Sequence, residues 1–438
     1  MFSSQATVEQ LLHLLPGVDE LETLRLAMIR TAVPDPGKAW DSSSSYATLD
    51  KRILANEDVE QALAFSESAL HDYVTLLHDG LRPVFRSYFT GDHAEAATHL
   101  LALGERHEAT GRVRGASQCY HAALVLSLPL AEKASQIVAL RRMGRVMLAL
   151  GEFRDAISFY DRSVELARDT GDLRAEVIAR TGVGNVAMYQ GRWADSERAY
   201  LQALDLVNGA DEGAFLLETG HLFNNLGNVN LRLSRLDEAD EWLQRALVLW
   251  NAVDAPEDLG TCYLNLGQLR AEQGRTGDAR AAFEAAVGLP VSPALKSLLA
   301  GDLAELCLVA GHVTEAETLA RIAEEHAIAS SSPYTLGYMY RVRGNLARYR
   351  GHEDGFTFYE KALEIAREKG YPPLEADTLA DYAELRRGTG GAEEAEAYLE
   401  RAREIFDQLG AVQSSARVRR ALDELRTAIE VPLATVGD

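Results

Sequence analysis

Residues 221–250, HLFNNLGNVNLRLSRLDEADEWLQRALVLW, read as two short helices joined by a turn at 233–236. The first helix carries Phe223, Leu226, Gly227 and Asn230, and the second carries Ala239, Leu243 and Ala246. Small residues at Gly227, Ala239 and Ala246 let two helices approach closely, while the large ones fill the space between them. A single hairpin of this size cannot bury its apolar face alone, so the fold turns on whether the chain repeats it.

It does, about eight times. Registered on the residue in the turn between the two helices, the units fall at Gly111, Gly151, Gly191, Ser234, Gly274, Gly311, Gly351 and Gly390, at intervals of 37 to 43 residues. Seven residues before each turn stands a second small residue: Gly104, Gly144, Gly184, Gly227, Gly267, Ala304, Gly344 and Ala383. Five after comes Ala or Ser in every unit but the one with Phe356. Nine after, most units place a large apolar residue (Tyr120, Tyr160, Tyr200, Leu243, Phe283, Leu399), and twelve after, Ala or Ser. The Gly351 unit fits one residue short, through Tyr359 and Ala362, which predicts a deletion near its turn.

This pattern resembles the tetratricopeptide repeat (TPR) over roughly residues 95–408. The period departs from the standard ~34 residues. Six extra residues add ~9 Å of helix per unit at 1.5 Å rise, a length similar to the repeats of kinesin light chain, spindle-orientation adaptors and Rap-type peptide-sensing regulators. The family's closing proline is mostly missing; breaks such as Thr170-Gly171-Asp172, Asn208-Gly209-Ala210 and Lys369-Gly370-Tyr371 do the stopping instead. The resemblance implies an all-α fold: a right-handed α-solenoid of about eight TPR helix hairpins, closed by an N-terminal helical cap and a C-terminal capping helix.

The rest of the chain is placed around that solenoid. Residues 1–92 do not fit the repeat and read as an N-terminal helical region with a Pro/Gly/Ser-rich loop at 32–56. The solenoid spans 93–410; residues 411–430 form the capping helix, with Val418, Leu422, Leu425 and Ile429 on one face; 431–438 are a tail. The formal charge of −22, from 44 basic against 66 acidic residues, argues against a nucleic-acid partner gripped through phosphates and against an anionic membrane surface. Cys119, Cys262 and Cys307 lie in separate repeats, without disulfide or zinc spacing, which suits a reducing compartment. No basic leader precedes the first apolar run and no 18-residue apolar run occurs, so the expected location is cytoplasmic.

Catalytic spacing is sparse: there is no P-loop, dinucleotide fingerprint, GxSxG or HExxH. His71, His78, His93, His99 and His107, near Asp72, Asp79 and Asp92, read as histidines on polar helix faces rather than as convergent metal ligands. Cys119 and His121 stand at i and i+2, which do not face each other on a helix. The expectation is no enzyme, no cofactor and no metal.

The groove says more. In the family the first helix of each unit lines a concave surface, with inward positions about ten, six and three residues before the turn. By that resemblance the candidate groove residues are Arg141, Arg145, Asn185, Met188, Tyr189, Asn224, Asn228, Arg232, Gln268, Arg341, Asn345 and Arg348. Side-chain amides at helical spacing can pair with a peptide's N–H and C=O without reading its side chains, and arginine adds bidentate contacts to carboxylates. The same residues allow a second account, in which Asn bonds between neighbouring repeats and Arg pairs with Glu or Asp of the next helix. Asn225 and Asn265 lie beside this row, on the edge facing the neighbouring helix. The expected function is a non-catalytic scaffold or adaptor holding an extended or helical, acidic protein or peptide segment. The alternative is a Rap-like signalling regulator using residues 1–92 as its effector surface. An apolar solenoid end also makes a homo-oligomer one of the expected partners.

Overall fold

Wherever the sequence places its turn residue, among the described residues, the backbone turns left-handed: Gly151, Gly191, Gly274, Gly311, Gly351 and Gly390 all have φ between 69° and 87°. The computed structural model describes residues 80–430 apart from 81–82, 85, 89, 110–112, 131–132, 210–213, 331 and 353. The expected cap and loop in residues 1–79, the Gly111 turn and the 431–438 tail lie outside the described residues.

The helices run in order as α1 (His93–Ala109), α2 (Val113–Ser127), α3 (Ala134–Ala149), α4 (Phe153–Thr170), α5 (Leu173–Tyr189), α6 (Trp193–Asn208), α7 (Leu216–Arg232) and α8 (Leu236–Trp250). They continue as α9 (Pro256–Glu272), α10 (Thr276–Val287), α11 (Pro293–Val309), α12 (Val313–Ser330), α13 (Pro333–Arg350), α14 (Gly355–Lys369), α15 (Pro372–Gly388), α16 (Ala392–Leu409) and α17 (Val412–Glu430). The fold is an all-α solenoid. Two compact units divide it: residues 1–146 with 165–171, and residues 147–164 with 172–438.

In the first unit, α1 packs on α2. A Cβ on Gly104 would come 2.4 Å from the Tyr120 ring, so only glycine lets that aromatic residue lie against the α1 backbone. The second unit repeats the device: Gly184 faces Tyr200, Gly227 faces Leu243, Gly267 faces Phe283 and Gly344 faces Tyr359, each with under 2.6 Å to a would-be Cβ. Tyr359 stands eight residues past Gly351 rather than nine, where the one-residue deletion puts it.

Capping chemistry sets the junctions. Asp172 accepts from the Ala175 N–H at the start of α5, and Ser292 and Ser332 cap α11 and α13 in the same way. Pro256, Pro293, Pro333 and Pro372 open α9, α11, α13 and α15. There a missing N–H costs nothing, because the first turn of a helix has no internal acceptor for it. Four junctions therefore do carry a proline, at the entry to the next repeat. At the C-terminal end α17 packs on α16 through buried Val418, Leu422 and Leu425.

First helices of consecutive repeats also touch one another: α5 with α7, α7 with α9, α9 with α11, α11 with α13 and α13 with α15. This contact makes them the inner wall of the second unit.

Ser234 is the sole non-glycine among the described residues with positive φ, at 62°. An L side chain in that conformation costs ~1 kcal/mol, so Ser234→Gly is expected to raise stability by ~0.5–1 kcal/mol. A urea midpoint unchanged or lowered by the substitution would contradict the strain.

Candidate functional site

Ten of the twelve candidate residues lie in the second unit and two, Arg141 and Arg145, in the first. In the first unit Arg145 pairs with Glu108, which also accepts from the Tyr120 hydroxyl, and Arg142 pairs with Glu105 on the facing helix. Arg141 is half-buried.

In the second unit the inner-wall side chains form a polar ladder. Asn225 on α7 donates to Asn185 on α5 at 3.1 Å, and the same Asn185 oxygen accepts from the Tyr200 hydroxyl at 2.7 Å. Asn265 on α9 donates to Asn224 on α7 at 3.0 Å. Gln268 on α9 donates to Asp302 on α11 at 2.7 Å while its carbonyl oxygen faces Arg232 at 3.5 Å. Tyr338 on α13 donates to the other Asp302 oxygen. Arg341 on α13 then bridges Glu305 on α11, at 2.8 Å, and Asp381 on α15, at 2.6 Å. Asn345 donates to both carboxylates and accepts from the Tyr359 hydroxyl at 2.7 Å. Apart from the Tyr200 and Tyr359 hydroxyl bonds, which stay within a repeat, these rungs cross between successive first helices, so the amides and the guanidinium also fix the repeat-to-repeat rotation.

One rule generates the rungs. Positions ten and six before the turn are four apart on one helix face, while position nine is turned ~100° toward the preceding repeat. Asn225, Asn265, Asp302 and Asp381 all occupy position nine, and each bonds to position six or ten of a neighbouring helix. Asp302 and Asp381 are the site residues that reading positions ten, six and three overlooks.

Arg341 is therefore not an open cation awaiting an acidic ligand. Burial alone would lower its pKa, but the Glu305 and Asp381 carboxylates outweigh it and hold the guanidinium firmly charged. One cation cannot balance its neighbours in turn. Burial, with help from the nearby Asp381 and Asp302 charges and against the pull of Arg341, lifts Glu305 from near 4.5 to about 7. Burial also raises Asp302, despite the hydrogen bonds from Tyr338 and Gln268.

The sign of the consequence is fixed. A carboxyl with a folded pKa above its unfolded one contributes stability in full below pH 4.5, and loses it as pH rises through about 7. Wild type should lose on the order of 1–2 kcal/mol relative to Glu305→Gln between pH 5 and 8. Parallel urea curves of the two proteins across that range would refute the shift.

Other candidates do not share that ladder. Met188 is half-buried against the core. Tyr189, expected as an apolar anchor, stacks edge-on against Tyr334 at 5.1 Å and tilts over Tyr371 at 6.1 Å. Arg348 lies 4.9 Å from the Tyr349 ring centroid, and Tyr349 is exposed. Four atoms of the inner-wall helices are buried without a hydrogen-bond partner among the described residues: Asn228 Oδ1 and the Nε atoms of Arg341, Arg348 and Arg386. Asn228 is thus the amide of its row that the ladder does not fully absorb.

Among the described residues no group of three or more His, Cys, Asp or Glu is disposed to hold a metal ion, and no helix is long and apolar enough to cross a membrane. His71 and His78 lie outside the described residues; His93 stacks on Tyr88 at 5.0 Å. All three cysteines are buried thiols.

A tetratricopeptide repeat profile matches residues 135–209, 218–289 and 335–408, and a second such profile matches 264–333. No curated protein sequence matches significantly. Among solved structures, the chain is similar to the Rap conjugation gene regulator of plasmid pLS20 in complex with the Phr* peptide. The identity is 15% over 78% of this chain and 96% of that one, with a TM-score of 0.53. NprR in complex with its cognate peptide NprX matches at 14% identity, 76% and 99% coverage and a TM-score of 0.46. BtubC from P. vanneervenii matches at 18% identity, 48% and 88% coverage and a TM-score of 0.41.

Proposed function

The chain belongs to the tetratricopeptide repeat family, and on that premise we propose that it is a non-catalytic scaffold holding a protein or peptide segment along the inner wall of its second unit. The observation that carries this reading is the set of buried, unpartnered polar atoms on that wall, with Asn228 Oδ1 and Arg348 Nε among them. A buried acceptor or donor left unpaired costs about 1–3 kcal/mol, and a backbone N–H or a carbonyl or carboxylate oxygen from an extended segment removes that cost. Arg232 and Arg348 supply the charge for an acidic segment, since Arg341 is committed to Glu305 and Asp381. The fold shared with a Rap regulator solved with a peptide agrees with the same class of ligand.

The test compares capture of partners from native lysate by wild type and by an Asn228→Ala/Arg232→Glu/Arg348→Glu variant, after matched helical melts. A partner held by wild type and lost by the variant, at a cost of about 2–4 kcal/mol, supports the wall as the working surface. Equal capture by both refutes it.

The same likeness to a Rap regulator favours a second reading, a peptide-sensing regulator whose residues 1–92 act as effector surface. Removing residues 1–79 should then abolish the output while leaving peptide affinity within about twofold; an unchanged output excludes this reading.

A further inference from the structure

In a solenoid each repeat ordinarily contacts only its neighbours. The second unit has contacts that break this rule. Lys369 Nζ, at the end of α14, lies 2.8 Å from Glu152 Oε1 at the start of α4, 217 residues away. Tyr371 packs edge-on against Phe153 at 5.5 Å, and Tyr334, Tyr371 and Tyr189 form a three-ring cluster with centroids 5.1 to 6.1 Å apart. A Cβ on Gly151 would stand 2.8 Å from the Tyr371 hydroxyl, and one on Gly191 would stand 2.3 Å from Leu409.

The partners are not random. Gly151 and Gly191 are hairpin-turn residues of early repeats, whereas Lys369, Tyr371 and Leu409 flank junctions between late repeats. One edge of the superhelical coil therefore meets the opposite edge one turn later. The contact uses a few side chains: Phe153 and Tyr371 are buried in it, while the Glu152 side chain at its rim is 50% exposed and Tyr189 37%. Within each repeat, by contrast, whole helix faces pack. Small rotations summed over the intervening repeats would part this contact before any helix pair separates.

We propose that this seam is a latch: the second unit rests shut edge to edge, and parting the contact between 151–191 and 334–409 regulates access to its inner wall. The proposal rests on the reading of that wall as the place where the ligand binds, but it is tested without any ligand. In the closed state a segment reaches Asn228 and Arg348 only through the ends of the coil. With the seam parted, the segment enters sideways.

Two measurements decide it. The would-be Cβ of Gly151 lies 3.3 Å from the Cβ of Lys369, near the separation a disulfide needs. Ser234 shows that a side chain is tolerated in this turn conformation. Gly151→Cys/Lys369→Cys should oxidise to an intramolecular crosslink, seen as a mobility shift on a non-reducing gel. Failure of the crosslink to form in a protein with a normal helical melt overturns the closed seam.

The second measurement is the rate at which an Asn228→Cys thiol reacts with N-ethylmaleimide and with a polyethylene-glycol maleimide, corrected for wild type. Adding Tyr189→Asp and Lys369→Glu should speed the bulky reagent by about tenfold and the small one by less than about twofold. Because that variant loses packing as well as a charge pair, Lys369→Glu alone and the swap Glu152→Lys/Lys369→Glu accompany it. The single change should speed bulky labelling about two- to threefold and the swap should restore the slow rate. Equal bulky-reagent rates in all of these overturn the latch, even if the inner wall proves to be where a ligand binds.

Discussion

Gly267→Val is expected to lower stability by about 2–3 kcal/mol, read as a fall in the urea midpoint. Its Cβ would stand 2.3 Å from the Phe283 ring, and Phe283 is itself fully enclosed, so the ring has nowhere to retreat. Valine's better helix propensity returns only ~0.5 kcal/mol. The control is Gly277→Ala in α10, a helical glycine with nothing within 4 Å of a would-be Cβ. It should gain ~0.5–1 kcal/mol from helix propensity. If both substitutions shifted the midpoint alike, close packing of glycine against ring would not be what holds the repeat together.

Arg341→Met is the second large effect. The Arg341 side chain is 14% exposed and bridges two carboxylates on two different helices. Removing one partner of a buried charge network leaves the others uncompensated, which costs about 2–4 kcal/mol for a site this enclosed. The loss should shrink as pH falls toward 5, because Glu305, raised to about 7, then takes up a proton and no longer needs the guanidinium. Arg341→Met/Glu305→Gln should recover part of the loss at pH 8, since it removes one of the stranded charges. A loss independent of pH, or no recovery in the double variant, would mean that Arg341 acts by packing its stem rather than by charge.

Most of the repeat architecture is legible in the sequence because it depends on contacts of short range. Glycine in the turn and a second small residue seven before it are local requirements, and Gly184, Gly227, Gly267 and Gly344 meet the residues their spacing assigns them. The inner-wall row was legible in position but not in commitment. Asn185, Asn224, Gln268 and Asn345 stand where the spacing puts them, yet their amides are engaged with neighbouring helices. Position nine carried that information: Asn225, Asn265, Asp302 and Asp381 are polar where a wall built only for a ligand would have no need of them. The seam was not legible. Whether Gly151 meets Tyr371 depends on small inter-repeat rotations summed over some 200 residues of chain, and no local pattern encodes that sum.

The central claim, that the inner wall of the second unit holds the partner, is tested most directly by site-specific photo-crosslinking in the native lysate. A photo-crosslinking residue is placed at position 228 on α7 in one protein and at position 248, the 70%-exposed Val248 on α8, in another. The account predicts a discrete crosslinked band from position 228 that is absent from position 248 and disappears in the Arg232→Glu/Arg348→Glu background. A band from position 248 alone would contradict it, placing the working surface on the outer face.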